Sequence, residues 1–158
     1  MDAQKKILVL GIGNLLFKDE GIGIQVVRKM QNMALPPDVE VMDGGNLGWD
    51  VLYKLEGRKK VIVIDSVKAD GPPGTLYRFT DKDVQARRKG FFQTVPEQEL
   101  IDCMNTARLL GTLSDEFVFI GVEPEDTGEK DLKAVVMLSP TLEKKMPEII
   151  DFVMKEIG

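Results

Sequence analysis

The chain has 158 residues, 43% hydrophobic and 30% charged, which suits one compact domain over 1–158 and excludes a disordered chain. A net charge of −5 and a pI near 4.9 argue against nucleic acid as a partner, which needs a positive footprint; the one basic cluster, "ARRKG" at 86–90, reads as a solvated loop. There is no histidine, so Ser-His-Asp and Cys-His nucleophiles and imidazole zinc sites are excluded, and acid–base or metal chemistry falls to carboxylates, Lys, Tyr, Cys or a bound ligand.

"KKILVLGIG" (5–13) follows "MDAQKK" directly and reads as a buried strand, so no signal peptide is expected. From Glu20, apolar residues recur at Ile22, Val26, Val27, Met30 and Met33, a helical spacing that "LPPD" (35–38) ends by proline chemistry. "VEVMD" (39–43) alternates like a strand; "GGNLGW" turns the chain, and Leu47, Val51, Leu52 and Leu55 mark a short helix. "KKVIVID" (59–65) is the most apolar strand and ends in an acid, and "KADGPPG" (68–74) is a loop. "TLYRFT" (75–80) comes without an intervening helix. That predicts a strand antiparallel to its neighbour, since a parallel crossover needs about a dozen residues.

Residues 81–95 carry no clear period. Leu100, Ile101, Met104, Ala107 and Leu110 give a helix over about 97–110 that contains Cys103. A lone cysteine forms no internal disulfide, fits a reducing cytoplasm, and here packs as a small apolar residue. "EFVFIGV" (116–122) is a buried strand, and 123–138 is loop-rich and acidic. Ser139 caps a last helix with Pro140 in its first turn. Leu142, Met146, Ile149, Ile150, Val153 and Ile157 continue that helix despite Pro147. No apolar run approaches the roughly 20 residues of a membrane span, so no membrane partner is expected.

The order βαβαββαβα predicts a three-layer αβα sandwich around a mostly parallel sheet. Ligands of such sheets bind at the carboxyl ends of the strands. Those ends are Gly11 to Glu20, Asp43 to Gly45, Asp65 with Ser66, and Glu123 to Asp126. "GIGNLLFKDEGIG" (11–23) invites a dinucleotide reading. Gly11 and Gly13 fit G-x-G-x-x-G, but Leu16 stands where the third glycine belongs and the loop is longer, so no nucleotide cofactor is expected. Asp19 suits a helix N-cap and Glu20 a first turn. Asp65 ends an apolar strand, where an ionised carboxylate must be paired, solvated or metal-bound. The strands at 6–10 and 60–64 should lie side by side, which puts Glu20 and Asp65 at one crevice, suited to a divalent cation or a shared proton.

The chain resembles the hydrogenase maturation endopeptidases, which trim the C-terminus of the large subunit of nickel–iron hydrogenases. The resemblance runs through "ILVLGIGNLLFKDEGIG" (7–23), "VMDGGNLGWDVL" (41–52), "VIVIDSV" (61–67), "PGTLYRF" (73–79), "IGVEPED" (120–126) and "LSPTLE" (138–143). It implies a twisted five-stranded sheet between helices with one strand antiparallel. It also implies Glu20 and Asp65 as catalytic-site metal ligands, and Asp43 with Gly44 and Gly45 as substrate-binding. The implied partner is a hydrogenase large-subunit precursor, and the implied metal is nickel carried by that precursor and recognised as the mark for cleavage. The sequence departs from the family at the third ligand: Pro96 stands where a histidine is usual. Proline ligates nothing, and Glu97 and Glu99 are the adjacent oxygens. Losing an imidazole leaves a harder oxygen site with lower affinity for nickel-like metals. The alternative function is a non-proteolytic chaperone of the same large subunit.

Overall fold

The computed structural model describes residues 5–45, 54–86, 97–128 and 136–158. The short helix expected from Leu47 to Leu55 lies mostly outside these residues, with only 54 and 55 seen as helical; Pro96 and 87–95 also lie outside. In chain order the elements are β1 (Ile7–Ile12), a 3-10 turn (Lys18–Gly21), α1 (Ile22–Met30), β2 (Val39–Gly45), β3 (Lys60–Ser66), β4 (Leu76–Thr80), α2 (Asp81–Ala86), α3 (Glu97–Leu110), β5 (Glu116–Val122) and α4 (Pro140–Ile157).

The five strands form one sheet in the order β2-β1-β3-β5-β4. All neighbours are parallel except β4, which runs antiparallel to β5. The antiparallel strand was legible in the sequence. Its partner is β5, which inserts between β3 and β4. α2, in the stretch without a period, is an addition to the expected elements. Met33 lies beyond the end of α1 and is exposed, so the first helix is shorter than its apolar spacing suggested.

Strand alternation sorts the core into two faces. Val9, Ile62, Ile64, Ile120 and Val122 pack with α1 and α4 through Val26, Val27, Leu142, Met146 and Ile149. Leu8, Leu10, Val61, Val63, Phe117 and Phe119 pack on the other face, where α3 contributes Met104. Ser139 caps α4 as expected, accepting from Leu142 N, and Pro147 occupies an exposed position where its missing N–H faces water.

Two glycines let α1 sit directly on the strands. A Cβ on Gly23 would lie 2.1 Å from Ile64 O and 2.4 Å from Ile12 O, and one on Gly11 would lie 2.2 Å from Gly23 O. These are backbone atoms and cannot step aside as a flexible side chain can. Gly23→Ala should therefore lower stability by about 2–3 kcal/mol, the upper range of an overpacked core, read as a lower midpoint in thermal or urea unfolding followed by circular dichroism.

Candidate functional site

The loop from β1 to α1 folds on its own backbone. Asn14 N donates to Glu20 O, Phe17 N to Asn14 O, and Glu20 N to Phe17 O, while Asn14 Oδ1 accepts from Leu16 N at 3.0 Å. Gly13 takes φ +147, and a Cβ there would meet Glu20 O at 2.2 Å, so the loop closes only over a glycine. Lys18 turns the chain at φ 48, and its Nζ reaches Asp126 Oδ2 at 2.8 Å. The 3-10 turn that follows packs against β3 and carries Glu20, half-buried, to the carboxyl edge of the sheet.

Asp19 is not the N-cap its sequence position suggests. Gly21 occupies the N-cap of α1, and no side chain caps that helix. Asp19 is instead wholly buried, 0% exposed. Its Oδ2 accepts from Glu125 N and Asp126 N, both at 2.9 Å, and from Ser139 Oγ at 2.7 Å. Its Oδ1 accepts from Ser139 N at 2.8 Å, and its own N–H donates to Asp126 O. A buried carboxylate is tolerated only when so satisfied. Sequence reasoning missed this role because a local cap and a long-range clamp use the same residue type, and the donors are mostly backbone amides that carry no sequence signal.

Asp43, Gly44 and Gly45 form a bulge at the end of β2: Gly11 pairs with Asp43 and Ile12 with Gly45, so Gly44 is the extra residue. A Cβ on Gly44 would meet Leu10 Cδ1 at 2.8 Å, while Gly45 needs glycine for its φ of +53. Asp43 Oδ1 closes the turn by accepting from Gly45 N at 2.9 Å, and Gly45 O accepts from Gly13 N, so this turn is tied to the first loop. The Asp43 carboxylate is exposed and faces Arg28 of α1 at 3.4 Å.

Asp65 is 0% exposed. Its Oδ1 accepts from Ser66 N at 2.7 Å. Alternation aims it at the α3 face with Val61 and Val63, and its partner in β5 is Gly121, which puts no side chain beside it. Ser66 Oγ, on the opposite pleat, is buried with no hydrogen-bond partner among the described residues. Asp43 and Ile64 flank Gly11 in register, two strand spacings or about 10 Å apart, and Asp43 points to the α1 face. The edge thus packs the 3-10 turn that carries Glu20 against β3, the strand of Asp65, and holds Asp43 on the opposite face of the sheet from Asp65. Pro96 lies outside the described residues, immediately before α3, whose Met104 packs on the face toward which Asp65 points.

A second buried acid holds the far side of the edge. Glu123 Oε1 accepts from Ala69 N, Gly71 N and Tyr77 Oη, each at 2.9 Å. It thereby pins the loop that leaves β3 after Asp65.

A family model described as hydrogenase maturation protease matches residues 24–156. The chain is 38% identical over 128 residues, 78% of its length, to the hydrogenase expression/formation protein HupD of Rhodobacter capsulatus, and the match spans 61% of that longer protein. It is 31% identical to the coenzyme F420 hydrogenase subunit delta of Methanothermobacter thermautotrophicus, with 100% of this chain and 98% of that one covered. Among solved structures, the hydrogenase maturating endopeptidase HybD from E. coli superposes with a TM-score of 0.80 at 30% identity, covering 97% of this chain and 94% of that one.

Burial, then the hydrogen bond and negative charge of Glu123, push the Tyr77 phenol above its ordinary value of 10.0. A raised value in the fold contributes stability that is intact below the ordinary phenol value and lost as pH rises through the folded one. Tyr77→Phe should abolish that alkaline loss, so its unfolding midpoint should fall less steeply than the parent's on the alkaline limb of a pH series.

Proposed function

The chain belongs to the hydrogenase maturation protease family, and from that premise we propose that it is the endopeptidase that removes the C-terminal extension of a nickel–iron hydrogenase large-subunit precursor after nickel insertion. The observation that supports the reading is the carboxyl edge: the backbone-closed turn that contains Glu20 packs against β3, the strand that carries Asp65, and the Asp43 turn is hydrogen-bonded to the same loop. In this reading Glu20 and Asp65 take the metal-bearing end of the substrate. Asp43, Gly44 and Gly45 meet the approaching tail, with an exposed carboxylate and a bulge free of side chains.

The donor set supports nickel as part of the substrate. Two carboxylates are hard oxygen donors, whereas nickel prefers nitrogen and sulfur, so the substrate's own ligands complete its coordination. Hydrolysis then requires water to add to the scissile carbonyl carbon, a carboxylate of this edge to take the water's proton, and that proton to pass to the leaving nitrogen as the C–N bond breaks.

A second reading is a non-proteolytic chaperone of the large subunit. It draws on Pro96 at the usual histidine position and on the full-length similarity to a protein named as a hydrogenase subunit.

The two readings part on one experiment. Nickel-loaded precursor mixed with the protein should lose its C-terminal extension by mass, nickel-free precursor should not, and free nickel should not substitute. Glu20→Gln should abolish trimming while leaving the fold intact, because the amide keeps the shape of the side chain and removes only its charge. A stable complex of unchanged mass would establish the chaperone instead.

The isolated protein should bind zinc and nickel weakly or not at all in calorimetric titration. Tight 1:1 zinc binding that survives Cys103→Ala would overturn the assignment of the metal to the substrate.

A further inference from the structure

Asp19, the residue next to Glu20, is held from two directions. Its carboxylate accepts four hydrogen bonds, two from the amides of Glu125 and Asp126 after β5 and two from Ser139 at the start of α4. Its backbone N–H donates to Asp126 O. The outer half of the same loop is more open to solvent: Leu16 is 50% and Phe17 42% exposed. Glu20 is then placed by what holds Asp19 and by the short backbone bonds of the turn, Asn14 N to Glu20 O and Glu20 N to Phe17 O.

A buried carboxylate is a costly way to fill space, since an apolar residue of similar volume stabilises a core as well or better. What four directed bonds supply is a defined position. Ser139 extends the connection: its Oγ donates to Asp19 and accepts from Leu142 N, so the cap of α4 and the Glu20 turn share one hydroxyl. Lys18 on the other side of Asp19 is tied to Asp126 as well.

We infer that Asp19 is a positioning residue for Glu20: its clamp locks the 3-10 turn to the loop after β5 and to the cap of α4, so that the Glu20 carboxylate stands at the end of β3 before substrate arrives. This rests on the reading of Glu20 as a substrate-metal contact. Asp19 touches no reacting atom and acts through its neighbour.

The test uses the full chain and the Asp19→Ala, Asp19→Asn and Ser139→Ala variants, each shown to be folded at the assay temperature by circular dichroism. Two quantities are read: kcat/KM for trimming nickel-loaded precursor, and hydrogen exchange of the Asn14 and Glu20 amides. Asp19→Ala should lose about 100-fold in kcat/KM, the scale of a misplacement near 1 Å, and should expose both amides to exchange. Asp19→Asn should lose about 10-fold, less than Asp19→Ala, because its amide oxygen can still accept the three bonds made to Oδ2 while its NH2 faces the Ser139 N–H, donor against donor. Ser139→Ala should lower the unfolding midpoint yet keep kcat/KM within about threefold, because the Glu125 and Asp126 amides still hold the clamp.

Wild-type trimming by Asp19→Ala, or a loss in Ser139→Ala as deep as in Asp19→Ala, would overturn the inference. If Asp19→Ala does not fold, an Asp19→Asn variant with unchanged kcat/KM overturns it. If the parent itself does not trim, the proposed function fails, and exchange alone decides the clamp: unchanged protection of Asn14 and Glu20 in Asp19→Ala refutes it.

Discussion

The close seat of α1 on β1 and β3 sets everything at the carboxyl edge. Gly11 and Gly23 remove the side chains that would separate helix from sheet, and the contact is backbone against backbone, as a Cβ on Gly23 would stand 2.1 Å from Ile64 O. With α1 pressed to that depth, the turn before it cannot ride above the strand ends; it lies against β3. The turn that carries Glu20 packs on the strand that carries Asp65 for this reason. A helix held away by even one methyl layer would lift the turn by the thickness of a methyl group.

The second constraint is the cost of acids at the end of a hydrophobic sheet. Asp19, Asp65 and Glu123 are each nearly or wholly buried. Asp19 and Glu123 accept four and three hydrogen bonds respectively, mostly from backbone amides of loops that leave the sheet. The loops after β3 and β5 are thus organised around carboxylates, and the carboxylates are stabilised by the loops. Asp65, wholly buried at the end of β3, accepts from the Ser66 amide.

Much of this was legible in the sequence, and the reasons are particular. β3 and β5 are apolar runs bounded by turn residues, and α4 has a Ser-Pro start and a clean apolar stripe, so pattern and structure agree there. Gly44 and Gly45 marked by composition a break after the strand at 39–43; the structure carries β2 through both as a bulge, with one crowded and one left-handed position, and 46–49 lie outside the described residues. α2 was not legible: six residues, DKDVQA, hold too few apolar positions to show a period. The clamp on Asp19 was not legible either. Its partners lie more than 100 residues along the chain, and nothing local distinguishes an aspartate that caps its own helix from one that reaches the cap of another. The opposite facing of Asp43 and Asp65 needed the register, which sequence alone does not supply.

The opening loop has the strand–turn–helix form that in dinucleotide sites presents backbone amides to a phosphate. In this chain six amides of the loop are engaged within the protein. Gly13 N bonds to Gly45 O, Asn14 N to Glu20 O, Leu16 N to Asn14 Oδ1, Phe17 N to Asn14 O, Asp19 N to Asp126 O and Glu20 N to Phe17 O. The loop therefore turns its donors inward and offers carboxylates at the edge. An anion meeting this edge would face Glu20 and Asp43 with the neighbouring amides already used, whereas a cation held by a protein tail meets oxygens positioned in advance. The same backbone form that elsewhere receives a negative ligand is here suited to a positive one, which supports the reading of a metal-bearing substrate.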